Sequence, residues 1–173
     1  MPYAIDFQNK VNAPNIPVER ITNVLIELLT AHTLPPDASL TIVITDDAHV
    51  SRLNEQFRGV AAPTDVLSFP SDTPLRPSDW NTVEESDPYL GDLLIAYPYT
   101  VQQAAELGHA IDDELILLSI HGTLHLLGYD HDTPSNQAIM WDVQHNALGW
   151  ANVPIDVPHF TFDDSPPPAD LAE

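Results

Sequence analysis

A chain of 173 residues with 43% hydrophobic side chains can bury a real core as one domain and is too apolar to be a disordered segment. Its 26 acids against 5 bases give a net charge of −21, which repels nucleic acid and other polyanions at long range and argues against a broad basic binding surface. No apolar run nears the roughly 20 residues of a membrane span, the N-terminal Met-Pro-Tyr-Ala-Ile-Asp-Phe lacks a signal-peptide pattern, and the absence of cysteine suits a reducing compartment, so a cytoplasmic protein without membrane contact is expected.

Tyr3 to Gln8 alternates apolar and polar residues and reads as a first strand. Pro17 stands at a helix start. Val18, Ile21, Val24, Leu25, Leu28 and Leu29 follow at helical spacing, which predicts an amphipathic helix over Pro17–His32. Pro35-Pro36 break the chain, and alternating Leu40, Ile42 and Ile44 predict a strand over Ser39–Thr45. Asp46 and Asp47 suit the start of a helix over Ala48–Phe57, with Val50, Leu53 and Phe57 as its buried stripe.

Pro63 leads into a short strand, Val66–Phe69, which Pro70 stops. Ser71–Leu90 is polar and acidic and reads as a long loop. Asp92–Tyr97 is a further strand, and Thr100–Leu107 a helix closed by Gly108. Asp112, Asp113 and Glu114 open a helix that is apolar on nearly every side through Leu127, the mark of a buried central element. Pro134 opens the last helix, which ends near Gly149. The expected fold is α/β: one layered domain over residues 1–153, with a four-stranded, mostly parallel or mixed sheet and about five helices. Residues 154–173, rich in Pro and Asp, form a C-terminal tail.

The buried helix carries the chemistry. His121-Gly-Thr-Leu-His125-Leu-Leu-Gly128-Tyr-Asp-His131 places imidazoles at i, i+4 and i+10. Residues four apart share a helix face. Gly128 suits the left-handed conformation that ends a helix, so the chain can turn back and bring His131 to the other two. Three convergent histidines suit a tetrahedral Zn²⁺ with the fourth position open, as in catalytic sites. Ordinary core histidines, or a structural site closed by Asp130 or Asp132, are the competing explanations.

The same spacing occurs in the long zinc-protease signature, whose general base is the glutamate after the first histidine. Here that residue is Gly122, so a protease is disfavoured and another hydrolysis is expected. Upstream, Asn54 and Arg58 lie four apart on the predicted 48–57 helix and its end, flanking its stripe, where they can face a cleft. A guanidinium there can bind phosphate and offset transition-state charge, or simply favour the helix C-terminus. His32, His49, His109, His145 and His159 show no ligand spacing and read as surface or core residues. A single lysine among so many acids also fits adaptation to high salt, where self-repulsion is screened.

Four blocks, Leu53-Asn-Glu-Gln-Phe-Arg58-Gly, Pro63-Thr-Asp-Val-Leu-Ser-Phe-Pro70, Leu90-Gly-Asp92 and the histidine segment 121–131, together resemble the YbeY family of bacterial metal-dependent endoribonucleases. The resemblance runs in order across about residues 40–149. It implies zinc at His121, His125 and His131, a functional Arg58, and action on the 3′ end of small-subunit rRNA, in ribosome quality control. It also implies ribosomal small-subunit components and a ribosome-associated GTPase as partners, and RNA rather than DNA as substrate. A ribosome assembly factor with a mainly structural metal is the alternative. The family often carries a Lys-Asp pair where this chain has apolar Val60-Ala61-Ala62. Zn²⁺ and Arg58 are therefore left to supply most of the local attraction for phosphate. Asp130, Asp132 and Asp65 are equal candidates to orient a water or a histidine.

Overall fold

The computed structural model describes residues 3–35, 37–71 and 88–155. Its elements are β1 (Ala4–Asn9), α1 (Val18–Ala31), β2 (Ser39–Thr45), α2 (Asp47–Arg58), β3 (Val66–Pro70), β4 (Tyr89–Ala96), α3 (Tyr97–Leu107), α4 (Ile111–Leu126) and α5 (Pro134–Trp150). The four strands form one mixed sheet in the order β1-β2-β4-β3. β1, β2 and β4 run parallel, with Phe7 opposite Ile42 and Ile42 opposite Leu93, while β3 lies antiparallel on the edge. The α/β class and the mixed sheet agree with the sequence pattern.

Alternation along the strands divides the interior in two. Leu40, Ile42, Ile44, Leu93 and Ile95 point to one face, where they meet α1, α4 and α5 in the larger core. Val43, Leu67, Leu94 and Ala96 point to the other, where Val50 of α2 joins a smaller cluster. Central parallel strands covered on both faces read as continuous apolar runs, and β2 and β4 do so. α4 is buried from Glu114 through Leu124 without a break, so its backbone is a closely packed support for a side chain that must be held.

Three boundaries or faces differ from the sequence reading. β4 begins at Tyr89 rather than Asp92, because its pairing with β2 extends to Ser39 opposite Tyr89. α3 begins at Tyr97 rather than Thr100, since Pro98 sits in its first turn, where no intrahelical N–H bond is lost. On α2, Val50 and Asn54 are buried, whereas Phe57 is 60% exposed. Phe57, in the last turn of the helix, packs edge-on against Phe69 of edge strand β3, ring centres 5.2 Å apart. The middle of the expected 71–90 loop and nearly all of the expected tail lie outside the described residues; Val153 and Ile155 are buried in the larger core.

Candidate metal centre

The end of α4 is built to reverse the chain. Tyr129 N–H donates to Leu124 O and Gly128 N–H to His125 O, the paired bonds of a Schellman turn. Gly128 takes φ +102°, a conformation that a side chain would strain. The turn swings residues 129–131 back along the helix. His131 ends 5.4 Å from His121 and 5.1 Å from His125, ring centre to ring centre, and those two stand 4.7 Å apart. One nitrogen from each ring falls within 4.8 Å of the others, so the group can hold a metal ion. Trp141 of α5 forms an aromatic wall, 6.0 Å from His121 and 5.4 Å from His131.

Hydrogen bonds fix which nitrogens face inward. His121 Nδ1 lies 2.8 Å from Gln144 Oε1, and His125 Nδ1 lies 3.0 Å from the Tyr129 carbonyl. A carbonyl only accepts, so in both rings Nδ1 carries the proton and donates. The neutral rings are left with lone pairs on Nε2, and these two nitrogens lie 3.2 Å from each other. Lone pairs placed in this way can converge on one cation. This is the arrangement of metal-ligating histidines, whose second nitrogen is committed to a carbonyl or carboxylate.

Burial favours the ligand-competent form. His121 is 3% exposed, and desolvation, followed by the nearness of His125, lowers its pKa to about 3. The pKa of His125 is lowered by burial first and by His131 second. Neither ring carries a second proton at neutral pH to compete with a metal.

The other residues singled out by the sequence are distributed unevenly. Arg58 closes α2, exposed, before the left-handed cap Gly59, and its charge reaches His125, where it contributes to the lowered pKa. Asn54 does not face a cleft: it is buried, and its Nδ2 donates to Ala62 O, holding the loop that follows Arg58. Asp130 accepts from His131 N–H at 2.8 Å and acts on His125 by charge. Asp132 is engaged by Asn136. Asp65 lies in a separate buried cluster, accepting from Gln103 at 3.0 Å. Sequence reasoning missed Gln144 and the Tyr129 carbonyl as the groups that orient the ligands. A glutamine on the same helical stripe as buried Met140, Ala147 and Leu148 is the signal that could have found Gln144.

Gly122 occupies the protease glutamate position. A Cβ there would meet Leu93 Cδ2 at 2.8 Å and Ser68 Oγ at 3.2 Å, and the Gly122 carbonyl accepts from Ser68 Oγ at 3.1 Å. The direction a side chain would take is filled by the sheet, so this position serves close packing of α4 on β3 and β4.

The family model described as endoribonuclease YbeY matches residues 5–151. The chain belongs to the endoribonuclease YbeY family. It is 48% identical over 114 residues to the endoribonuclease YbeY of Chloroflexus aggregans, spanning 65% of this chain and 73% of that protein. It is 36% identical over 148 residues to that of Pelotomaculum thermopropionicum, spanning 86% and 95%. Among solved structures, a Thermotoga maritima protein determined in solution superposes with a TM-score of 0.58 at 26% identity, over 85% of this chain and 88% of that one. The matched region of the YbeY family model contains both the histidine trio and Arg58.

Proposed function

We propose that this chain is a zinc-dependent endoribonuclease that acts on single-stranded segments in 3′-end maturation of small-subunit rRNA and in ribosome quality control. The observation that carries the reading is the convergence of His121, His125 and His131, one ring nitrogen from each within 4.8 Å of the others, with Nδ1 of His121 and of His125 set against a carbonyl acceptor. Membership of a family whose relatives bear the name endoribonuclease supplies the substrate class.

His121, His125 and His131 would hold the zinc ion, with a fourth position open to water. When bound, Zn²⁺ supplies Lewis acidity, polarising a phosphoryl oxygen or lowering the pKa of water from about 15.7 towards 7. Gln144 and the Tyr129 carbonyl hold His121 and His125 in the tautomer that presents Nε2. Arg58 binds the scissile phosphate and offsets the charge that grows on it in the transition state. Val60, Ala61 and Ala62 add no charge beside it, so productive contact depends on this one guanidinium and the metal. In a chain of net charge −21, RNA association should strengthen as salt screens long-range repulsion, until the local contacts are screened too.

No described helix is long and apolar enough to cross a membrane. The cytoplasm, ribosomal small-subunit components and a ribosome-associated GTPase complete the proposed setting. The test is cleavage of a structured small-subunit rRNA fragment by zinc-loaded protein over a range of salt, beside His125→Ala prepared identically. Cleavage confined to the wild type supports the enzyme. No cleavage by a wild type that binds one metal per chain supports an assembly factor instead.

A further inference from the structure

The C-cap residue of α1 contacts the segment that joins two of the metal-site histidines. His32 caps α1, and its Nδ1 lies 2.9 Å from Leu28 O. The carbonyl can only accept, so Nδ1 donates, and in that tautomer Nε2 is an acceptor. Nε2 lies 2.8 Å from the Tyr129 hydroxyl, which therefore donates to it. The two rings meet edge to face, 5.6 Å apart at 88°. Tyr129 in turn supplies the carbonyl that accepts from His125 Nδ1 at 3.0 Å. The link from Leu28 O through His32 and Tyr129 to His125 thus matches every donor to an acceptor.

The mechanical consequence follows from where Tyr129 sits. It is the residue after Gly128, whose positive φ gives the turn its direction but has no side chain to hold it. Within the turn, Tyr129 N–H is tied to Leu124 O. Its side chain is tied across the fold to α1, ninety-seven residues away in sequence. The peptide that orients His125 is therefore clamped at one end by α4 and at the other by α1, and His131 lies two residues further along the same segment.

We infer that His32 is a positioning residue for the metal centre: by holding the Tyr129 side chain it fixes the carbonyl that aims His125 Nε2 and the segment that delivers His131. This rests on the metal-site reading proposed above. Residues that orient metal ligands typically change metal affinity by about 10- to 100-fold when removed. His32 acts through one intermediary, so the low end, about tenfold, is expected.

The experiment is zinc affinity, measured by competition with a chromogenic chelator, for wild type, His32→Ala, Tyr129→Phe and the double variant, at a temperature where circular dichroism shows each folded. Each single variant should bind zinc about tenfold more weakly, and the double variant no more weakly than either, because both break the same link. His32→Gln, which retains a donor and an acceptor, should recover affinity relative to His32→Ala. Visible bands of Co²⁺-loaded protein, which report ligand geometry, should shift in His32→Ala and Tyr129→Phe. Zinc affinity unchanged in both single variants, or losses that multiply to about a hundredfold in the double variant, would overturn the role of His32. If His32→Ala does not fold, unchanged affinity and unchanged Co²⁺ bands in Tyr129→Phe would overturn it alone. A wild type that binds no zinc would instead overturn the metal-site reading, and this inference with it.

Discussion

α4 carries a buried polar cluster at each end, and the two are satisfied in different ways. Near its start, Gln103 Nε2 donates to Asp65 Oδ2 at 3.0 Å and to Glu114 Oε2 at 2.9 Å, while Glu114 Oε1 pairs with His109 Nδ1 at 2.7 Å. Two carboxylates share one amide, and each of these donors is matched to an acceptor. Near its end, the outer nitrogens of His121 and His125 are matched, but the inner ones face each other as acceptors. One cluster is closed within the protein and the other is open to a cation. Three convergent imidazoles are a donor set that suits a metal ion, so the open cluster is the one fitted to a cation.

The largest expected effect separates the clusters by function. His125→Ala should abolish both zinc binding and RNA cleavage, read by metal analysis and by gel. Arg58→Ala should lower turnover by roughly 10²- to 10³-fold, the scale for removing one group that stabilises transition-state charge. Its zinc content should stay at the wild-type level, and loss of metal would show that Arg58 acts on the site's structure instead. In the closed cluster, Gln103→Leu leaves two buried carboxylates without their shared donor. That should cost about 1–3 kcal/mol of stability, seen as a Tm lower by several degrees. Zinc affinity should not change.

Acid and base sharpen the same comparison, because the clusters titrate with opposite sign. Burial lowers the His121 pKa to about 3 in the folded chain, below its ordinary 6.5. The metal-free protein should therefore hold this contribution above pH 6.5 and lose it as pH falls towards 3. Burial raises the Asp65 carboxyl above its ordinary 3.8, more than the Gln103 bond lowers it. Its contribution is full below pH 3.8 and lost as pH rises through the folded value. Urea unfolding of metal-free wild type and His121→Gln between pH 4 and 7 checks the first slope, and Asp65→Asn checks the second. The smallest effect concerns the whole surface: Tm should rise from low to molar KCl as the charge of −21 is screened. No rise would remove the high-salt reading of the composition.

Much of the fold and of the site is legible in the sequence. Apolar patterns together with proline and glycine punctuation locate the described strands and helices, because each element buries one face or, for β2, β4 and α4, nearly all of its surface. The trio His121, His125 and His131 is legible because i, i+4 and a glycine turn are local geometry. What stays hidden depends on contacts distant in sequence. Gln144 lies 23 residues from His121, and His32 lies 97 from Tyr129. His32, which by spacing is an ordinary surface or core histidine, meets Tyr129, and Asp65, a candidate orienting group, meets Gln103, because the fold decides which neighbour each one meets. Phe57 matches the stripe of α2 in spacing, but it stays exposed against Phe69 of the edge strand.

The most direct test is zinc titration by calorimetry of three metal-free proteins: wild type, His125→Ala and Gln103→Leu. If the open cluster is the metal centre, one zinc binds per chain in the wild type and in Gln103→Leu, and none in His125→Ala. Absence of binding in the wild type, or full binding by His125→Ala, would contradict it.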